Sequence, residues 1–232
     1  MKLENVTDME HGSSRRRYDD ACAATHGMDI IGERWALPVM RELMLGPRRF
    51  GELKSSLRGI SANVLTQRLE GLEAAGVVKR TRLPPPASVQ VYELTAWGYE
   101  AGPIFQAMGR WAVKSPAHDP SRPFSAVSLM LSFRTMMDLS RTEGLQARIG
   151  FRIGEDSFVL GIADRAVTLG RGDTAGCDLI FIGPTSIIGA AAYGGAALAE
   201  LERAGELTIE GDRALAERFV TLFPLPPKAD AS

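Results

Sequence analysis

Apolar residues recur at helical spacing through most of the first 114 residues, and this period predicts a run of short helices. The predicted helices cover residues 18–31, 35–44 and 50–57, then a segment capped by Ser61 and closed by Gly76, and finally residues 97–111. Strand patterns at residues 77–82 and 88–94 flank a proline-rich loop and predict a β-hairpin. Pro103 lies inside the last helical pattern, so we expect a kink there.

The second half alternates between helix and strand patterns, which predicts an α+β domain with a mainly antiparallel sheet. A helical pattern covers residues 124–144, and alternation of apolar and polar residues predicts a half-buried strand at residues 147–153. The remaining predictions are strands at 157–164, 166–170, 177–183 and 206–209, and helices at 184–193, 195–203 and 214–222.

Three prolines between residues 115 and 123 predict a linker, so we expect a first domain at residues 15–114 and a second at 124–223. Residues 1–14 and 224–232 are predicted to be disordered tails, and Arg15, Arg16 and Arg17 a flexible arm. The uncharged stretch at residues 179–199 has the length of a membrane span. Proline and glycine interrupt this stretch, so we predict a strand and a small-residue helix, with no membrane partner.

Charge separates the two halves, although the 232 residues together carry a net charge of only −1. Residues 1–115 contain 16 basic and 13 acidic side chains, a net charge of +3, whereas residues 116–232 contain 11 and 15, a net charge of −4. This asymmetry indicates that only the first half contacts a polyanion. The hydrophobic content of 45% and the two widely spaced cysteines are typical of a globular protein of the reducing cytoplasm.

The predicted fourth helix has two unlike faces. Its leucines at positions 65, 69 and 72 share one side, whereas Asn63, Thr66 and Gln67 lie opposite. Amide side chains can bind adenine in the major groove of DNA. The order of helices, tight turn, helix and β-hairpin predicts a winged helix-turn-helix, in which this helix would read the bases. The predicted DNA contacts are these polar side chains and the basic residues around them: Arg48, Arg49, Lys54, Ser61, Asn63, Thr66, Gln67, Arg68, Arg80 and Arg82. The alternative is a solvated basic face on an ordinary helical domain.

Several short motifs in the first half carry a family resemblance. They are Cys22, Ile31-Gly32-Glu33-Arg34-Trp35, Arg49-Phe50-Gly51-Glu52-Leu53, Ile60-Ser61, Leu65-Thr66-Gln67-Arg68-Leu69, Leu72-Glu73-Ala74-Ala75-Gly76-Val77-Val78 and Tyr92-Glu93-Leu94-Thr95 before Gly98. With these motifs, residues 22–114 resemble the HxlR family of bacterial winged-helix regulators, which are relatives of the MarR type. The chain departs from the family at Glu33, where glycine is usual, and at residues 88–92 of the hairpin.

The resemblance implies a homodimer that holds two recognition helices over a palindromic site in double-stranded DNA. The first helix and the helix at residues 95–114 would form the dimer interface. The apolar residues that fit this role are Trp97, Phe105, Met108 and Trp111. The alternative is that these residues are an ordinary core stripe.

The resemblance also implies a redox-sensing role for Cys22, because many members carry a reactive cysteine there. His26 follows one helical turn later, and either its protonated imidazole or the helix N-terminus would lower the thiol pKa. The alternative is a small buried hydrophobe. Two cysteines and three histidines fall short of a zinc finger, so no metal or cofactor is predicted.

The second half carries its own resemblance, which is looser than the first. The matching residues are Gly205-Glu206-Leu207-Thr208-Ile209-Glu210-Gly211-Asp212, then Ala214, Leu215, Ala216 and Phe219, with Asp178-Leu179-Ile180-Phe181 before Pro184. Residues 124–222 thus resemble the sterol-carrier-protein domain, an α+β fold whose sheet and helices enclose an apolar tunnel. The implied ligand is an apolar small molecule or lipid. The candidate lining residues are Met130, Phe133, Met137, Phe151, Phe158, Phe181, Ile187 and Tyr193, each of which is alternatively plain core.

Together these interpretations predict a dimeric, cytoplasmic DNA-binding regulator, a repressor that an apolar ligand in the second domain modulates. Two alternatives stay open. One is a thiol switch through Cys22 with a structural second domain, and the other is a lipid-binding protein whose winged helix makes protein contacts. The sequence contains no nucleophile elbow, dinucleotide-binding or phosphate-binding loop, or zinc-protease motif, so we do not expect an enzyme.

Overall fold

The computed structural model describes residues 18–230. Within them a helical domain with a β-hairpin precedes an α+β domain, so the predicted fold class is confirmed. The predicted arm at Arg15, Arg16 and Arg17 and the tail at residues 1–14 lie outside the described residues.

In the first domain, the described residues form a helical body and a two-stranded antiparallel hairpin, which we call the wing. The elements are α1 (Ala23–Ile31), α2 (Ala36–Leu43), α3 (Phe50–Ser56), α4 (Ala62–Ala74), β1 (Val78–Arg82), β2 (Gln90–Leu94), α5 (Ala96–Tyr99) and α6 (Gly102–Ala112). The loop before α3 joins the wing through a backbone bridge between Arg48 and Tyr92, whose two N···O distances are 2.9 and 2.8 Å. The start of α3 is therefore fixed to the wing.

Three local predictions in this domain are corrected. The first helix begins at Ala23 rather than at residue 18, and Trp35 precedes α2 with a positive φ of 79° instead of lying within the helix. The long C-terminal helix is broken into α5 and α6 rather than kinked. Pro103 lies in the first turn of α6, where a missing backbone N–H removes no helical hydrogen bond.

The second domain is built on a five-stranded sheet with the strand order β5-β4-β3-β6-β7. Its elements are α7 (Ala126–Met136), β3 (Ala147–Ile153), β4 (Asp156–Ala163), β5 (Ala166–Arg171), β6 (Leu179–Ile182), α8 (Thr185–Gly194), α9 (Leu198–Arg203), β7 (Thr208–Gly211) and α10 (Arg213–Val220). Strands β3 and β6 run parallel and the other neighbours antiparallel, as the mainly antiparallel prediction requires.

The helix predicted at residues 124–144 is shorter than expected. It ends at Met136 because Met137 adopts an extended ψ of 126°, and a 3-10 turn at Leu139–Thr142 follows. The uncharged stretch at residues 179–199 contains β6 and the small-residue helix α8, as predicted. No helix within residues 18–230 combines the length and apolar character needed to cross a membrane.

The C-terminal segment at residues 224–230 was predicted to be disordered, and this prediction is wrong. Its backbone returns to the first domain, where the Ala229 N–H donates to the Lys114 carbonyl at 2.7 Å. The Lys228 ammonium donates to the carbonyls of Val113 and Ser115 at 3.0 and 3.1 Å, next to the end of α6. We call residues 224–230 the C-terminal strap.

Two polar contacts also join the domains, which meet directly as well as through the linker. The Glu42 carboxylate in α2 is 1% exposed and accepts hydrogen bonds from Arg41 and from the Ser125 hydroxyl at 2.7 Å. Arg48, beside the wing, donates to Asp156 of β4 at 2.8 Å, and Arg171 of β5 donates to the same carboxylate oxygen at 2.6 Å. We call Arg48, Asp156 and Arg171 the charged anchor.

The charged anchor predicts a pH-dependent contribution to stability. Burial opposes ionisation of Asp156, but hydrogen bonds from Arg48 and Arg171 outweigh it and lower the pKa of this carboxyl group. A lowered folded-state pKa stabilises the protein above the ordinary aspartate range near pH 4, and this contribution disappears as the pH falls through the folded pKa. We expect Asp156→Asn to lower the free energy of unfolding by about 1–3 kcal/mol at pH 7.

Urea unfolding followed by circular dichroism at pH 7 and pH 3 measures this difference. The gap between wild type and Asp156→Asn should shrink at pH 3. Asp164→Asn, a matched change at an exposed turn, should show no such gap at either pH. An equal gap at both pH values contradicts the ionic role of Asp156.

Candidate nucleic-acid interface

The helix α4 is anchored by its leucine side. Leu65, Leu69 and Leu72 are 0–3% exposed, and the helix packs against α2 and β1. The Ser61 hydroxyl caps the N-terminus by accepting from the Val64 N–H at 3.2 Å, and Gly76 follows the C-terminus with φ of 75°. Capping and burial together fix the rotation of α4 about its own axis.

The opposite side of α4 faces solvent. Asn63, Thr66 and Gln67 are all exposed, which is the outward face that the helical periodicity predicted. Exposed amide and hydroxyl groups at the front of a helix following a tight turn are the groups that read base edges in the major groove. Ser61 is exposed as well, with its oxygen engaged in the cap.

Basic side chains surround this face. Arg49 is exposed at the start of α3, Lys54 lies in the same helix, and Arg82 is exposed in the wing. Arg80 of the wing is ion-paired with Glu73 at 2.9 Å and lies over the Tyr92 ring at 5.7 Å. Arg80 is held by these contacts, whereas Arg49 and Arg82 are exposed cations of the kind that contact phosphate oxygens.

Two of the predicted DNA contacts are engaged by other residues of the protein. Arg48 is 8% exposed because its guanidinium points at the second domain and binds Asp156. Arg68 lies on the flank of α4 and forms an ion pair with Glu33. The partner of Arg68 could have been suspected from the sequence, because Glu33 departs from the family pattern. No neighbouring residue indicated that Arg48 faces another domain.

Cys22 lies at the N-terminus of α1 and is exposed, so the alternative of a buried hydrophobe is wrong. Hydrogen bonds from the backbone N–H groups of Thr25 and Ala24 lower the pKa of its thiol. The His26 Nδ1 atom instead lies 3.7 Å from a carboxylate oxygen of Asp29. The thiol pKa is therefore lowered by the N-terminus of the helix and not by the imidazole. Cys177 contrasts with it, because burial raises the pKa of that thiol. No three potential ligands cluster as a metal site within residues 18–230.

The candidate ligand residues of the second domain form its aromatic core. Phe133 packs against Phe151 and Tyr193 with ring centroids 5.6 and 5.9 Å apart, and Phe151 stacks on Phe181 at 5.6 Å. Phe223, which was not among the candidates, belongs to the same core, and its ring centroid lies 4.7 Å from that of Phe133. The other candidates, Met130, Met137, Phe158 and Ile187, are buried in or packed against the same core. The rings pack directly against one another, so these side chains fit the alternative that they form an ordinary hydrophobic core.

The predicted dimer helices leave apolar side chains in solvent. Helix α1 has no buried residue, and the exposed large hydrophobic residues of α1, α5 and α6 are Met28, Trp97, Tyr99, Ile104, Met108 and Trp111. Phe105 is the exception among the predicted interface residues, because it packs against the core. A single chain therefore exposes an apolar patch along these helices, which is typical of a protein interface.

Comparison with known proteins identifies both halves. The profile of the HxlR-like helix-turn-helix family matches residues 30–119. YvaP of Bacillus subtilis, an uncharacterized HTH-type transcriptional regulator, is 36% identical over 87 residues, which make up 38% of this chain and 81% of that protein. The chain belongs to the HxlR family. Its second half, at residues 131–224, matches the SCP-2 sterol transfer family.

Further relatives of this HxlR-family chain are regulators as well. An uncharacterized HTH-type transcriptional regulator of Synechocystis sp. is 39% identical over 87 residues, and the chain spans 64% of its length. A structure of the reduced form of the regulator YodB from Bacillus subtilis shares 32% identity with a TM-score of 0.39, covering 42% of this chain and 98% of that one. The sequence relatives support a DNA-binding transcriptional regulator.

The two cysteines should differ sharply in reactivity. We compare Cys177→Ser, which retains Cys22, with Cys22→Ser, which retains Cys177. Iodoacetamide alkylates thiolates, so Cys22 should react about tenfold faster or more at pH 7 because its pKa is lowered and its side chain is exposed. Mass spectrometry over a pH series gives both rates. The pH at which the alkylation rate of Cys22 reaches half its maximum reports the pKa of the thiol. A value at or above that of a free thiol contradicts the lowering of this pKa by the helix N-terminus.

Proposed function

We propose that this HxlR-family protein is a cytoplasmic homodimeric repressor that reads a palindromic operator with α4 of each protomer. The observation that carries the proposal is the exposed polar face of α4, with its leucine side fully buried beneath it. Arg49, Lys54 and Arg82 would contact phosphates on either side of the major groove. A dimer bound across a promoter represses because it excludes other proteins from the same DNA.

The exposed apolar patch supports the homodimer. Ile104 and Met108 are 48% and 41% exposed on one side of α6, and Trp97 is exposed on α5. Covering these side chains with a second copy removes apolar surface from water and sets two α4 helices side by side. Two recognition helices in a symmetric dimer match a palindromic operator.

The second domain supplies the modulation in this proposal. An apolar ligand bound to it would favour one of two arrangements of the domains, and only one of these arrangements would suit DNA binding. The charged anchor lies at the relevant place, because Arg48 joins Asp156 of the second domain to the wing and to the start of α3.

A thiol switch is a second candidate function, favoured by the exposed Cys22 with its lowered pKa. Oxidation of this thiol at the start of α1 would alter the helix that borders the apolar patch. Loss of DNA binding on oxidation, reversed by a thiol reductant and absent in Cys22→Ser, would favour this candidate over ligand modulation.

The reading face is tested by fluorescence anisotropy on the DNA upstream of the protein's own gene. Gln67→Ala or Asn63→Ala should each cost about 1–3 kcal/mol of operator binding and relax base preference. Arg49→Ala should instead weaken binding to all DNA similarly and flatten the salt dependence. Gln146→Ala and Arg122→Ala are matched controls at exposed positions away from α4.

An unchanged operator affinity of Gln67→Ala removes this residue from the reading face. Failure of the wild-type protein to bind any DNA under every condition, reduced or oxidised and with or without apolar ligand, contradicts the regulator. It would favour a lipid-binding protein whose winged helix makes protein contacts.

The dimer is tested by placing a charge in the apolar patch. Met108→Glu brings two like charges close together across a symmetric interface, so the dimer Kd should rise about a hundredfold or more. Analytical ultracentrifugation measures the shift, and operator affinity should fall with it. Leu139→Glu, a matched change at an exposed leucine in the second domain, should leave the dimer intact. An undisturbed dimer in Met108→Glu places the interface elsewhere.

A further inference from the structure

The C-terminal strap closes one side of a groove between the two domains. Helix α6 forms one wall, the end of α7 forms the other, and residues 224–226 lie across the groove. The two helices approach closely, since a Cβ atom at Gly109 would lie 3.4 Å from the Thr135 methyl carbon. Hydrogen bonds from Lys228 and Ala229 to the end of α6 hold the strap in place.

The groove is amphipathic. Its volume is about 670 Å³, within the range of small-molecule sites. Its apolar lining comes from both domains and the strap: Trp111, Met136, Met137, Pro224, Leu225 and Pro226. Arg110 and Lys114, on the α6 side, also line it, and none of its lining residues is acidic.

We propose that this groove binds an amphipathic monocarboxylate, with the apolar body on the methionines, Leu225 and Trp111 and the carboxylate at Arg110 and Lys114. Arg110 is positioned for this role, because one of its terminal nitrogens donates to the Thr135 carbonyl at 3.2 Å. A guanidinium held by one nitrogen keeps other donors, and a planar fork matches a carboxylate. Arg110 and Lys114 are exposed, so a carboxylate beside them gains a modest charge attraction that a neutral lipid lacks.

This inference deepens the ligand-modulated part of the proposed function and rests on it. It locates the ligand at the junction of the domains, because the aromatic side chains inside the second domain pack on one another. A ligand there touches α7 of the second domain and α6, where Trp111 belongs both to the groove and to the apolar patch. The affinity for this ligand would therefore depend on how the two domains are arranged.

The experiment titrates the full-length protein with octanoate, decanoate and octan-1-ol, followed by tryptophan fluorescence and calorimetry. Affinity should rise about fourfold for each added methylene that is buried. Octan-1-ol should bind about fivefold more weakly than octanoate, and Lys114→Gln should weaken octanoate binding about fivefold. Ala107→Trp fills the groove from its α6 wall and should abolish binding. Lys79→Gln and Ala199→Trp, at exposed sites elsewhere, should bind as wild type does.

Three results would overturn the groove assignment. Carboxylate binding that survives Ala107→Trp places the ligand elsewhere, and ligand modulation then stands without the groove. A dimer disrupted by Ala107→Trp, with no carboxylate bound by the wild-type protein, makes the groove part of an interface between copies. No binding of any probe, with operator affinity intact, removes the groove and leaves the DNA-reading proposal standing.

Discussion

The leucine side of α4 is the constraint on which the DNA-reading surface depends. Burying a leucine contributes about 1.5–3 kcal/mol, and three of them lie on one side of this helix. Rotating α4 by half a turn would expose those leucines and bury Asn63 and Gln67 without hydrogen-bond partners, which is costly as well. The exposure of the amide groups is therefore a consequence of how the core holds the helix.

The contacts between the domains follow a different logic, because they are polar. A carboxylate removed from water is costly unless its partners are well placed, so the buried Glu42 and the partly buried Asp156 favour one arrangement of the domains over others. Apolar packing alone would allow more sliding between the surfaces. Both carboxylates therefore favour this orientation of the second domain, whatever their net contribution to stability.

The sequence predicts most elements because their causes are local. Helical spacing, the Ser61 cap and the alternation across β3 are readable within a few residues, and the predicted elements recur in the structure with shifted ends. The broken C-terminal helix follows the same rule in reverse, since Pro103 was placed inside a helix although proline is best tolerated in a first turn.

The site was less predictable because some of its residues are determined by distant contacts. Arg48 and Asp156 are separated by 108 positions, and no local pattern distinguishes Arg48 from Arg49, which is exposed next to it. The C-terminal strap has a composition typical of a disordered tail, and only its hydrogen bonds to the end of α6 reveal its position. Side-chain chemistry was readable from the sequence, but the direction in which a side chain points was not.

The free energy of these contacts can be compared with the free energy that allosteric coupling requires. Allosteric coupling between two sites is typically about 1–3 kcal/mol, and one charged hydrogen bond contributes a similar amount. The second domain is joined to the wing through Arg48 and to α6 through the strap, so it contacts both the reading region and the helix beside the apolar patch. In the proposed regulation, a shift that breaks one of these contacts would change the free energy by enough for such coupling.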